Sequence, residues 1–137
     1  MIDLTWKGKM AFEAKNEGGE AFVMNGDKAP DPGLEGPSPM QTLLAAIAGC
    51  MAFDVISILE KKRQKVTSYK VQIEGDRPPE GVYPRPFTAI RIKHILEGEA
   101  IDEAAVQRAI ELSEEKYCSV SATLRQSPSI DNEWEIR

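Results

Sequence analysis

Apolar and polar residues alternate weakly at the start of the chain, over Leu4-Thr5-Trp6-Lys7 and Met10-Ala11-Phe12-Glu13, and again from Glu20 to Met24 after the turn-forming run Asn16 to Gly19. A period of two sends successive side chains to opposite faces, so these runs predict three short strands in an antiparallel meander. Asn25 to Pro39 then packs three glycines and four prolines into fifteen residues and predicts a loop. The loop ends in a helix start: Ser38 as N-cap, Pro39 at the first helical position, and Gln41 three residues after the serine to close a capping box.

From Leu43 to Leu59 the chain is almost wholly apolar, and Lys61, Lys62, Arg63 and Lys65 follow where cations favour the carbonyl end of a helix. About 25 residues at a rise of about 1.5 Å span roughly 37 Å. The apolar positions surround this helix instead of forming one stripe, so it needs cover on most sides, and a second copy of the chain is the natural cover.

After Thr67 the period returns to two. Tyr69, Val71 and Ile73 fall on one face and Ser68, Lys70, Gln72 and Glu74 on the other. Gly75 to Pro86 predicts a loop, and Phe87 to Leu96 a further strand with Ile90, Ile92, His94 and Leu96 on one face. Asp102 is positioned to cap a second helix running to about Tyr117, with Cys118 at its end and a last strand expected at Ile130 to Ile136. The order βββ-α-ββ-α-β, with strands in blocks, predicts an α+β fold in a single domain spanning residues 1–137.

Composition narrows the classes of function. With 137 residues, 42% hydrophobic and 28% charged, the chain is long enough for one cored domain. A net charge of −5 gives no basic footprint for nucleic acid or for an anionic membrane surface. The N-terminus lacks the pattern of a secretory signal, which predicts a cytoplasmic protein. Leu43 to Leu59 is at the short edge of a bilayer span and contains Asp54 and Ser57, so a core helix is the expected reading.

The chemistry rests on two cysteines. Cys50 lies mid-helix, beyond the reach of the N-terminal dipole, with Asp54 one turn on, and a nearby carboxylate raises a thiol's pKa. Pattern alone predicts an inert core thiol. The reactive reading is a pair: Cys50 attacks a hydroperoxide, becomes a sulfenic acid and is captured by Cys118 as a disulfide that an external dithiol resets. The single histidine, His94, on an apolar strand face reads as a packed imidazole. With two cysteines and one histidine the chain falls short of a zinc site, and it carries no nucleotide motif; no metal or cofactor is expected.

The segments GPSPMQTLLAAIAGCMAFDVISIL and EKYCSVSATL together resemble the OsmC/Ohr family of osmotically inducible and organic hydroperoxide resistance proteins, and within it the YhfA-like branch. The resemblance covers essentially the whole chain. It implies an intertwined homodimer with long central helices and sites at the subunit interface. It implies Cys50 as the peroxidatic and Cys118 as the resolving cysteine, a stress-response role as a thiol-dependent peroxidase, and reduction by a dithiol such as a lipoyl group. The family pattern also calls for a glutamate ten positions before the first cysteine and an arginine from the N-terminal part. Here Met40 stands in the glutamate position and the first arginine is Arg63. Lys28 and Arg85 are therefore the candidates to supply the missing positive charge, the alternative for each being a solvated loop cation. Met40 and Asp54 are expected to line the pocket. The competing function is a small-molecule-binding member of the same fold without peroxidase activity.

Overall fold

The computed structural model describes residues 1–126, so the strand expected at Ile130 to Ile136 lies outside the described residues. These residues form two compact units interleaved along the chain. The first unit comprises Met1–Ala46 and Gly75–Thr88; the second comprises Ile47–Glu74 and the described residues from Ala89 onward.

In the first unit, β1 (Ile2–Gly8), β2 (Ala11–Asn16) and β3 (Ala21–Asn25) form the expected antiparallel meander in the order β1-β2-β3. Its register pairs Leu4 with Ala14 and Phe22, and Trp6 with Phe12 and Met24, which gathers the apolar side chains on one face. That face is only partly covered within the chain: Leu4, Trp6 and Phe22 are exposed, while Ala14 is buried.

The proline-rich loop is tied down. The buried side chain of Asn25 donates to the Leu34 carbonyl at 2.7 Å and accepts from the Asp27 N–H at 2.7 Å, and its backbone N–H donates to Pro37. At Gly36 the loop passes so close to the Val23 carbonyl that a β-carbon would collide with it. The segment therefore reaches the helix as an ordered strap.

The long helix α1 (Pro39–Lys61) begins with the capping box that its sequence announces. The Ser38 N–H donates to Gln41 Oε1 at 2.8 Å, and the Gln41 N–H donates back to Ser38 Oγ at 3.3 Å. Its far end closes as a Schellman motif, with Gln64 N–H on Leu59 O and Arg63 N–H on Glu60 O, and Arg63 takes the left-handed conformation usually left to glycine (φ 58°).

In the second unit one stripe of α1, formed by Ile47, Met51, Val55 and Leu59, is buried. Val55 and Leu59 pack with Ala105 and Ala109, and Ile47 and Met51 pack with Cys118. The opposite stripe, Ala45, Gly49 and Phe53, is left partly or fully exposed, Phe53 at 77%.

Strands β4 (Lys65–Asp76) and β5 (Ala89–Glu99) form a two-stranded sheet. The side-chain pairs Lys65–Glu99, Tyr69–His94 and Glu74–Arg91 advance in opposite senses along the two strands, which is an antiparallel arrangement. Asp102 caps α2 (Glu103–Leu112) by accepting from the Ala104 N–H at 3.0 Å.

The helical path continues to Tyr117 as expected, but its last part, Ser113–Tyr117, widens into a π-helical turn, marked by the Cys118 N–H bonding five residues back to Ser113 O at 2.8 Å. A short helix α3 (Ser119–Leu124) follows, where the sequence pattern predicted no element between Cys118 and the last strand. This corrects that reading: Cys118 is the N-cap of a new helix, its Sγ accepting from the Ser121 N–H at 3.4 Å in the role a serine or aspartate oxygen usually fills.

Candidate functional site

The second unit brings Cys50 and Cys118 together. Cys50 projects from the middle of α1 and Cys118 from the junction of the π-turn and α3, and both pack in the cluster of Ile47, Met51, Ile73, Ile92, Ile110 and Val120. Both thiols are free, Cys118 buried at 3% exposure and Cys50 partly exposed. Each thiol shifts the titration of the other, Cys118 raising Cys50 and Cys50 lowering Cys118.

The surroundings polarise the pair. Burial pushes the Cys50 thiol above its usual value, and the backbone N–H groups of Val120 and Ser119 only partly offset burial and the neighbouring Cys118 sulfur. Burial acts on Cys118 in the same direction, but the Ser121 hydroxyl, the Cys50 thiol and the Ser121 N–H outweigh it, leaving Cys118 below the usual thiol value despite an opposing push from Asp54. The two thiols are thus shifted in opposite directions, Cys50 up and Cys118 down.

Asp54 is held by a hydrogen bond from the Ser113 hydroxyl at 2.8 Å. Ser113 is fully buried, so the π-turn and α1 are joined by a polar contact inside the packed interior. Asp54 also lines a cleft of about 360 Å³ with Ile58, Lys61, Leu112 and Tyr117.

Met40 lines a different cleft, of about 450 Å³, in the first unit, with Asp27, Gln41, Arg77 and Phe87. The Arg77 guanidinium there lies 5.9 Å from the Phe87 ring centroid and donates to the Arg85 carbonyl at 2.7 Å. Arg85 in turn donates from Nε to the Pro78 carbonyl at 2.8 Å, so both arginines brace the loop between β4 and β5. Lys28 and Arg85 belong to the first unit, whereas every group that shifts the two thiols belongs to the second.

Sequence reasoning picked out both cysteines but missed Ser121 and Ser113. Ser121, three residues after Cys118, stands at a helix-start spacing that the thiol N-cap conceals; Ser113 acquires its role only through the π-turn. No cluster of metal-ligating side chains occurs among the described residues.

A capped apolar helix carrying one thiol, set against a second thiol at a helix start in an α+β chain, defines a dithiol protein. Residues 30–133 match the family model described as OsmC-like protein, and the chain belongs to the OsmC-like family. It is 38% identical over 131 residues to Protein YhfA of Escherichia coli K12, covering 96% of this chain and 93% of that one. Among solved structures, a hypothetical protein from Aquifex aeolicus VF5 superposes with a TM-score of 0.76 at 32% identity, covering 91% of this chain and 86% of that one. The organic hydroperoxide resistance protein OhrB of Bacillus subtilis shares the fold, with a TM-score of 0.57 at 16% identity over 91% and 90% of the two chains.

Proposed function

We propose that this protein is a two-cysteine peroxidase that reduces hydroperoxides through Cys50 and Cys118. The observation that carries this reading is the packing of both thiols in one apolar cluster, one partly exposed and the other buried. Cys50, the more accessible sulfur, attacks the terminal peroxide oxygen while its proton passes to the Cys118 thiolate. The O–O bond breaks, the leaving alkoxide takes a proton from solvent to become the alcohol, and Cys50 becomes a sulfenic acid. Cys118 then attacks the Cys50 sulfur and releases water, leaving a disulfide for an external dithiol to reduce. In this scheme the Cys118 sulfur takes the place of the cationic partner, and neither Lys28 nor Arg85 is required.

The same reading makes the protein a cytoplasmic homodimer of one OsmC-like domain per chain. The exposed Ala45-Gly49-Phe53 stripe of α1 and the exposed Leu4, Trp6 and Phe22 on the β1–β3 sheet are apolar surfaces suited to a second copy. Helix α1 is long and apolar enough to cross a membrane, yet it buries its Ile47-Met51-Val55-Leu59 stripe against protein. The two units are interleaved, with the chain passing between them inside α1 and inside β4, which favours one domain.

The competing reading, a small-molecule binder without turnover, is favoured by the cleft at Met40 and by the raised Cys50 thiol. The deciding experiment is rapid mixing of the reduced protein with an organic hydroperoxide and with hydrogen peroxide, following free thiol and intact mass in wild type, Cys50→Ser and Cys118→Ser. Fast oxidation that requires Cys50 and ends in a Cys50–Cys118 disulfide supports the peroxidase. Thiols inert to both peroxides, with a small molecule stabilising the fold, support the binder.

A further inference from the structure

In the oxidation steps just described the Ser121 donors favour Cys118 as the thiolate, and they act on that one sulfur and not on Cys50. The N–H lies 3.4 Å from Cys118 Sγ, and the side chain of Ser121 lowers the pKa of the same thiol. The other sulfur, Cys50, has only backbone donors beside it and is the more exposed of the two. In thiol–disulfide exchange, access selects which sulfur is attacked, and the better-stabilised thiolate leaves faster.

We propose that the Cys50–Cys118 disulfide is reset in one direction, by attack of the reductant on Cys50 with Cys118 leaving, and that Ser121 is the positioning residue that receives the departing charge. This deepens the peroxidase reading and rests on its cysteine pairing. A thiolate of the external dithiol forms a bond to Cys50 Sγ, and the Cys50–Cys118 bond breaks with its electron pair going to Cys118. The second thiol of the reductant, once deprotonated, displaces Cys50 and closes the reductant's own disulfide. The balance is one dithiol monoanion oxidised to one cyclic disulfide and one protein disulfide reduced to a Cys50 thiol and a Cys118 thiolate, with the proton of the second reductant thiol returning to Cys50. The buried Cys118 is never required to meet the reductant, and its departing charge arrives between two donors already in place.

The test begins from wild type, Ser121→Ala and Ser121→Thr, each oxidised to the intramolecular disulfide with diamide. In the first arm glutathione is added, the reaction is quenched with acid, and the mixed disulfide is mapped by mass; glutathione on Cys50 is expected, and glutathione on Cys118 overturns the proposal. In the second arm the single-turnover rate of reduction by dithiothreitol and by dihydrolipoamide is measured against pH. Loss of one hydrogen bond to the leaving thiolate should slow Ser121→Ala about tenfold and move the Cys118 titration upward, with Ser121→Thr close to wild type. A Ser121→Ala rate and titration equal to wild type overturn the proposal, as does failure of diamide to form the intramolecular disulfide. A disulfide formed by diamide but not by hydroperoxides overturns the peroxidase reading alone, and the two arms then decide the reset step as before.

Discussion

The Tyr69 hydroxyl and His94 Nδ1 share a hydrogen bond of 2.7 Å between β4 and β5, with the rings stacked at a centroid distance of 6.0 Å. The other ring nitrogen, Nε2, is buried and has no hydrogen-bond partner among the described residues. Burial lowers the imidazole pKa below 6.5 and raises the Tyr69 hydroxyl to about 12.

Each shift sets a pH limit on stability. For His94 the folded pKa lies below the unfolded one, so the unfolded state binds the extra proton and stability falls as pH drops below 6.5. For Tyr69 the folded pKa lies above 10.0, so the unfolded state loses its proton first and stability falls as pH rises from 10.0 towards about 12. Urea unfolding across pH should show both declines, and His94→Gln should flatten the acid limb while leaving the alkaline one.

Asp54 opposes the negative charge on Cys118. Asp54→Asn keeps an oxygen to accept from Ser113 but removes that charge, so Cys118 should titrate at lower pH. Ultraviolet thiolate absorbance against pH is the measurement, and an unmoved or upward-moving titration contradicts the expectation.

Leu59 is fully buried against Ala105 and Ala109. Leu59→Ala opens a cavity that the neighbouring alanines are too small to fill, and should cost about 3 kcal/mol in chemical denaturation. Thiol chemistry at Cys50, two turns and more back along α1, should survive wherever the protein remains folded.

Phe53 is 77% exposed in a single chain, on the stripe of α1 opposite the buried one. If that stripe is an interface, Phe53→Lys places an unpaired charge in it and should shift the protein from dimer to monomer in analytical ultracentrifugation. A wild-type monomer at micromolar concentration contradicts the expected assembly.

Much of the architecture was legible because it is written in local chemistry. The Ser38–Gln41 capping box, the alternation around Tyr69, Val71 and Ile73, and the Asp102 cap each specify their element within a few residues. The boundaries of β5 were not so marked. Phe87 has strand character, but its ring packs at Gly75, and β5 begins two residues later at Ala89. Helix α3 was unreadable because its N-cap is a thiol, a weak acceptor that capping preferences pass over. The cysteine pairing came from family resemblance, since 68 positions of sequence separate Cys50 from Cys118; the polarity between them depends on Ser121 and on burial, which no sequence pattern records.

The π-turn at Ser113–Tyr117 gives the pair a dependence on counting. Successive residues of an α-helix are turned about 100° from one another, so one residue more or fewer swings everything downstream through more than a quarter of a circle. The wide turn accommodates an additional residue between α2 and Cys118, and the direction in which Cys118 points is set by that phase. A single-residue deletion there, with every side chain of the cluster kept, would rotate the second sulfur away from the first.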